Sequence, residues 1–157
     1  MALKGDRTVL HDQIDFFMNE VAERGGVASM STLGSGVALD QASQLCTYAA
    51  NPSGRMPIGV LLNDMVNLDL TRQKLNPYKD EVQIGGKVTL APQGEFVTNL
   101  IQQGVTIAAG ERVFLHASGY LTNNNHLDHS NNRVGTWMSR KDQNGYAKFS
   151  INLPRNN

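Results

Sequence analysis

Tyr146-Ala147-Lys148-Phe149-Ser150-Ile151-Asn152-Leu153 decides the fold. Successive side chains of an extended strand point to opposite faces. Ala147, Phe149, Ile151 and Leu153 therefore share an apolar face, and Tyr146, Lys148, Ser150 and Asn152 a polar one. Upstream runs Val134-Gly135-Thr136-Trp137-Met138, and Lys141-Asp142-Gln143-Asn144-Gly145 joins the two. Asn-Gly readily supplies the positive φ of a tight turn, so the pair reads as a β-hairpin.

Working outward, the same period recurs. Arg112 to Ala117 sets Val113, Leu115 and Ala117 against Phe114 and His116, between the turn signals Ala109-Gly110-Glu111 and Ser118-Gly119. Lys87 to Leu90 and Glu95 to Ile101 read as two strands flanking a turn at Pro92-Gln93-Gly94. Pro57 to Leu62 is a continuous apolar run, which suits a buried central strand. Gly26 to Thr32 and Val37 to Leu39 are shorter candidates, split by Gly34-Ser35-Gly36. Asp15 to Arg24 fits either a helix ending at Gly25-Gly26 or a strand with Ile14, Phe16 and Met18 on one face; Val21 breaks the helical stripe, which favours the strand. Leu68 to Tyr78 reads as a short helix or an extended connection. Thr122 to Arg133 is an Asn-rich surface loop. Short strands between glycine turns, without a repeat or a dividing linker, predict an all-β fold: a small β-barrel or β-sandwich over residues 13–157, with an extended N-terminal arm over 1–12.

Composition narrows the function. The 157 residues carry 14 Lys and Arg against 14 Asp and Glu, with no basic run. Nucleic-acid binding draws most of its affinity from an excess of cations, so no nucleic-acid partner is expected. No apolar stretch approaches the ~20 residues of a membrane helix, and Met1 to Asp6 is too polar for a signal peptide. The single cysteine, Cys46, excludes an intrachain disulfide. Its strand-like setting predicts a small buried hydrophobe and not a nucleophile.

Catalytic chemistry is hard to assemble. His126, Asp128 and His129 lie together in the Asn-rich loop, without the rigid third and fourth ligands of a zinc site. Asp64, Asn67 and Asp69 lack the glycine and terminal glutamate of a calcium loop. Gly34-Ser35-Gly36 and Gly85-Gly86-Lys87 miss the phosphate-loop spacing and read as turns or bulges. His11 and His116 fall on strand-like segments. The expectation is a protein that is not an enzyme and takes no cofactor and no metal.

Six stretches carry a resemblance over most of the chain: FFMNEVAERGG (16–26), GRMPIGVLLND (54–64), DLTRQ (69–73), KDEVQ (79–83), GGKVTL (85–90) and SRKDQNGYAK (139–148). Together they resemble the capsid decoration, or cement, proteins of tailed bacteriophages. The Asn-rich loop departs from that pattern. The resemblance implies a structural virion protein, made in a bacterial cytoplasm, that binds the outer surface of the head and cross-links neighbouring major capsid subunits. A homotrimer is expected by analogy with threefold positions on shells. Two segments combine apolar anchors with cations and are expected to make the capsid contacts: Leu3, Lys4, Arg7, Val9 and Leu10 in the arm, and Leu68, Leu70, Arg72, Lys74 and Leu75 in the second. An arm of this kind would be removable, so deleting Met1 to Asp6 is expected to leave the fold intact. The alternative is an adhesive or carbohydrate-binding β module of a virion. Exposed aromatic platforms would mark it, and the chain has one Trp and four Tyr.

Overall fold

The structure, a computed structural model, describes residues 3–4, 7–31, 44–47, 56–64, 68–69, 74–75, 81–116, 119–125 and 133–153. Among them there is no helix, and the fold is all-β. The strands are β1 (Thr8–Met18), β2 (Ala22–Glu23), β3 (Val27–Met30), β4 (Gln44–Thr47), β5 (Pro57–Asp64), β6 (Leu68–Asp69), β7 (Lys74–Leu75), β8 (Glu81–Val82), β9 (Lys87–Thr98), β10 (Arg112–Leu115), β11 (Leu121–Thr122), β12 (Arg133–Trp137) and β13 (Ala147–Asn152). Of the two sequence readings of residues 15–24, the strand holds as far as Met18, with Phe16 and Met18 buried; residues 19–21 leave the strand before the separate β2.

Five strands close a barrel in the order β1-β4-β3-β5-β9, with β9 returning to β1. β1 and β4 are parallel; the other pairings are antiparallel. Each barrel strand contributes to one core: Phe16 and Met18, Ala28, Cys46, Ile58 and Leu61, then Val88 and Leu90. β13, β12, β10 and β11 extend from β9 outside the barrel. This second layer curls back, because the Leu121 N–H donates to Leu100 O (3.0 Å) and the Gln102 N–H to Leu121 O (2.9 Å). It encloses a larger core around Phe96, Trp137, Phe149 and Ile151. Trp137 meets Phe149 edge to face, with ring centroids 5.8 Å apart, the arrangement that the ring quadrupoles prefer.

β9 is the spine of both layers. β1 runs along one edge of it. On the other edge β5 pairs as far as Val60↔Ala91, and β13 begins at Asn152↔Gln93. The apolar run of β5 follows from this position. Ile58 and Leu61 enter the barrel core, while Val60 and Leu62 enter the second core, so neither face sees water.

The turn expected at Pro92-Gln93-Gly94 does not exist; Lys87 to Thr98 is one twelve-residue strand. Pro92 sits where β5 stops and β13 starts. Its carbonyl accepts from the Leu153 N–H at 3.0 Å, so its ring nitrogen faces that junction, where no donor is required. Gly94 allows the β1 backbone to come close: a Cβ there would collide with the Thr8 carbonyl oxygen. Both residues signal turns in isolation, and here they serve a change of partner and a close strand crossing.

The β12–β13 hairpin forms as the sequence predicts, with Trp137↔Phe149 in register. The Asp142 N–H donates to Tyr146 O and the Gly145 N–H to Asp142 O. The Asp142 carboxylate also accepts from the N–H groups of Asn144 and Tyr146, both at 2.8 Å. Gly145, at φ 82°, takes the left-handed position.

Candidate interaction surface

Of the ten residues expected to contact a capsid, eight are among the described residues, and these fall into three structural situations. Leu3 is 1% exposed and lies in the second core. It bridges to Thr98, and the Lys4 N–H donates to Val97 O at 2.9 Å, so residues 3–4 extend the line of β1 along the far end of β9. Within the stretch 1–12, Thr8 to Asp12 are ladder residues of β1, and Leu3 is a core side chain. The physical reason is that β9 is long. Its edge beyond Glu95 would otherwise expose unpaired backbone and the apolar layer beneath it.

Lys4 is exposed, and its ammonium stands over the Tyr146 ring, 4.2 Å from the centroid. This cation–π contact links residues 3–4 to the base of the hairpin turn. Arg7, Thr8, Val9 and Leu10 are all exposed, Val9 at 39% and Leu10 at 72%. Adjacent strand residues face opposite ways. Exposure at consecutive positions means that β1 projects here with both faces in solvent, held by its pairing to Gly94 and Glu95.

The second expected segment forms a small ladder of its own. Leu68 pairs with Leu75 and Asp69 with Lys74 across β6 and β7, separate from the nine-stranded sheet. Leu70 and Arg72 lie outside the described residues, as do His126, Asp128, His129, Asn67, Gly34 to Gly36, and Val37 to Leu39.

Two titratable groups among the described residues have clear structural partners. Cys46 is fully buried, with its sulfur 3.5 Å from that of Met18. Burial pushes the thiol up to about 12, with the Glu20 charge adding to the effect, which removes thiolate chemistry at neutral pH. Among the described residues no group of three or more His, Cys, Asp or Glu could hold a metal ion. The Glu111 carboxylate accepts from the Ala108 N–H and from Asn123 Nδ2, each at 3.0 Å. These two donors lower its pKa, the Ala108 bond most strongly. Asn123 Nδ2 also reaches Thr106 O at 3.0 Å, so the root of the Asn-rich loop is pinned to the 105–111 segment.

No family model and no curated protein matches this chain.

Among the members of the expected contact set whose side chains are described, Val9 and Leu10 present apolar side chains to solvent. The sequence signal for this was the apolar pair Val9-Leu10 next to Arg7. What distinguishes that pair from Leu3 is its position along β9, which only the fold supplies.

Proposed function

We propose that this chain is a capsid decoration protein of a tailed bacteriophage. It binds the outer surface of the head as a homotrimer and cross-links neighbouring major capsid subunits. The observation that carries the reading is the Arg7 to Leu10 stretch: two large apolar side chains exposed at consecutive positions of an ordered strand, beside a cation. Such a stretch costs solubility and contributes nothing to either core, which fits a contact surface for a protein partner. The resemblance of six stretches to cement proteins supports the same reading.

The mechanism is multivalency without chemistry. A copy that touches two subunits makes each later contact intramolecular, so modest contacts sum to large avidity. Binding the assembled lattice in preference to free subunits stabilises the lattice by mass action. An adhesive, carbohydrate-binding role would need exposed aromatic platforms; Trp137 is wholly buried, and among the described residues Tyr120 is exposed.

Co-sedimentation tests the proposal. The chain is mixed with undecorated heads and, separately, with unassembled capsid subunits. Saturable binding to heads and none to free subunits is the expected result. Absence of binding to heads overturns it.

A further inference from the structure

Asn144-Gly145 is the one Asn-Gly pair in the chain, and it lies in the turn of the β12–β13 hairpin. Asparagine before glycine can react with its own backbone, because glycine has no side chain to hinder its nitrogen on the way to the neighbouring amide carbon. The Asn144 side chain is exposed, and a Cβ built on Gly145 would meet open space, so solvent reaches both partners.

The chemistry needs only water. The Gly145 nitrogen loses its proton to solvent base and attacks Asn144 Cγ. A C–N bond forms there, the side-chain nitrogen leaves as ammonia, and a cyclic succinimide results. Water then opens the ring at either carbonyl. One opening gives aspartate; the other carries the main chain through the former side chain and gives isoaspartate. The balance is water in and ammonia out, with no change of oxidation state.

The folded turn opposes the first step. The Gly145 N–H donates to Asp142 O at 3.0 Å, so the proton that must leave is engaged. Gly145 itself is held in the left-handed region, at φ 82°. One oxygen of the Asp142 carboxylate accepts from the N–H groups of Asn144 and Tyr146, both at 2.8 Å, and so fixes the chain on either side of the reacting bond. Hydrogen bonds to an ionised acceptor are the stronger kind. The Gly145 nitrogen swings toward Asn144 Cγ only after these bonds open.

We propose that Asn144 is a latched self-modification site: it cyclises onto Gly145 when the turn opens, and the Asp142 carboxylate is the latch. The product cannot close the latch again as before. Isoaspartate inserts a carbon into the main chain between the two N–H groups that share the Asp142 oxygen, and either product sets a second carboxylate beside the first. The site adjoins the Tyr146 ring, over which the Lys4 ammonium stands at 4.2 Å, so the change falls where residues 3–4 meet the hairpin. The inference goes beyond the proposed function and needs no capsid.

Peptide mapping of the full chain tests it. Wild-type protein is incubated in warm, mildly alkaline buffer, folded or unfolded in guanidinium chloride, then digested with trypsin. Residues 142–148 form one tryptic peptide with a single asparagine, so its amide-to-acid mass change reports on Asn144 alone. The folded chain is expected to convert at least about tenfold more slowly than the unfolded one, since local opening must precede reaction. Asp142→Ala is expected to close most of that gap while leaving the unfolded rate unchanged; circular dichroism and Trp137 emission verify that the variant is folded. Equal rates in folded and unfolded wild-type chain overturn the proposal. So does an Asp142→Ala variant, folded, that converts no faster than wild type, or an unfolded chain in which Asn144 stays intact.

Discussion

Leu3 pairs with Thr98 at the end of β9 farthest from the point where Phe17 pairs with Lys87. Residues 3–4 and 7–18 therefore run beside nearly the whole spine of the protein. They enter both cores, with Leu3 in the outer one and Phe16 and Met18 in the barrel. The segment that the sequence presents as a removable arm works as a strap across the two layers.

Leu3→Ala is expected to cost about 2–5 kcal/mol, the range for truncating a buried leucine. Deleting residues 1–6 removes that side chain together with the backbone pairing, so it destabilises the fold at least as much, in place of the neutral effect the sequence suggests. Denaturant unfolding followed by emission of the single tryptophan, Trp137, checks both variants, since this ring lies in the same core as Leu3. A deletion with unchanged midpoint contradicts the strap.

Gly94→Ala drives a Cβ into the Thr8 carbonyl oxygen at the crossing of β1 and β9, and Gly94 has φ 152°, which alanine rarely adopts. The two effects together are expected to cost about 2–3 kcal/mol. The same substitution at Gly104, where a Cβ meets open space, isolates the φ contribution, because φ there is 76°. The collision account requires the loss at position 94 to exceed that at 104, measured by the same unfolding assay.

The legibility of this fold in its sequence follows one rule: a segment whose fate depends on its neighbours in the chain reads correctly, and one whose fate depends on distant strands does not. The β12–β13 hairpin is local, since Asp142, Gly145 and the alternation in β13 are all within a few residues of one another. The burial of β5 is also legible, because burial on two faces leaves a continuous apolar run. Pro92 and Gly94 are illegible, because their meaning comes from β5, β13 and Thr8, which are remote in sequence. Leu3 is misread for the same reason: an isolated leucine among polar residues carries no period, and only the length of β9 makes it a core residue. Of the candidate site, the pair Val9-Leu10 was visible as apolar residues beside a cation, but its separation from Leu3 was not.

Glu111 contributes to pH dependence. Its carboxylate, held below the usual 4.5 by the Ala108 N–H and by Asn123, stabilises the folded state fully above that value. The contribution is lost as the pH falls through the lower folded value. Exchange of the Ala108 amide, followed by NMR, is expected to accelerate as the pH drops below the usual glutamate range, after correction for intrinsic rates. Glu111→Gln removes this dependence. An unchanged acid profile in that variant shows that the root of the loop is held by other contacts.

Cys46 makes the opposite prediction at high pH. Its folded value of about 12 lies above the ordinary 9.0, so the stability it contributes is present below 9.0 and lost as the pH rises toward 12. A thiol reagent at neutral pH is expected to label the protein only after denaturation. Cys46→Ala flattens the alkaline limb of the stability curve at the cost of a small cavity. Rapid labelling of the native protein contradicts the burial assigned to this thiol.

The cementing role stands or falls on the heads themselves. Undecorated heads, heads saturated with the chain, and heads mixed with a Leu10→Asp variant are challenged with heat or a chelator, and DNA release is followed. Leu10 is exposed, so the variant keeps its fold, verified by Trp137 emission, while a carboxylate disrupts the apolar contact. The account predicts that decorated heads retain DNA under conditions that empty bare heads, and that the variant protects poorly. Bare heads that retain their DNA as well as decorated ones contradict it.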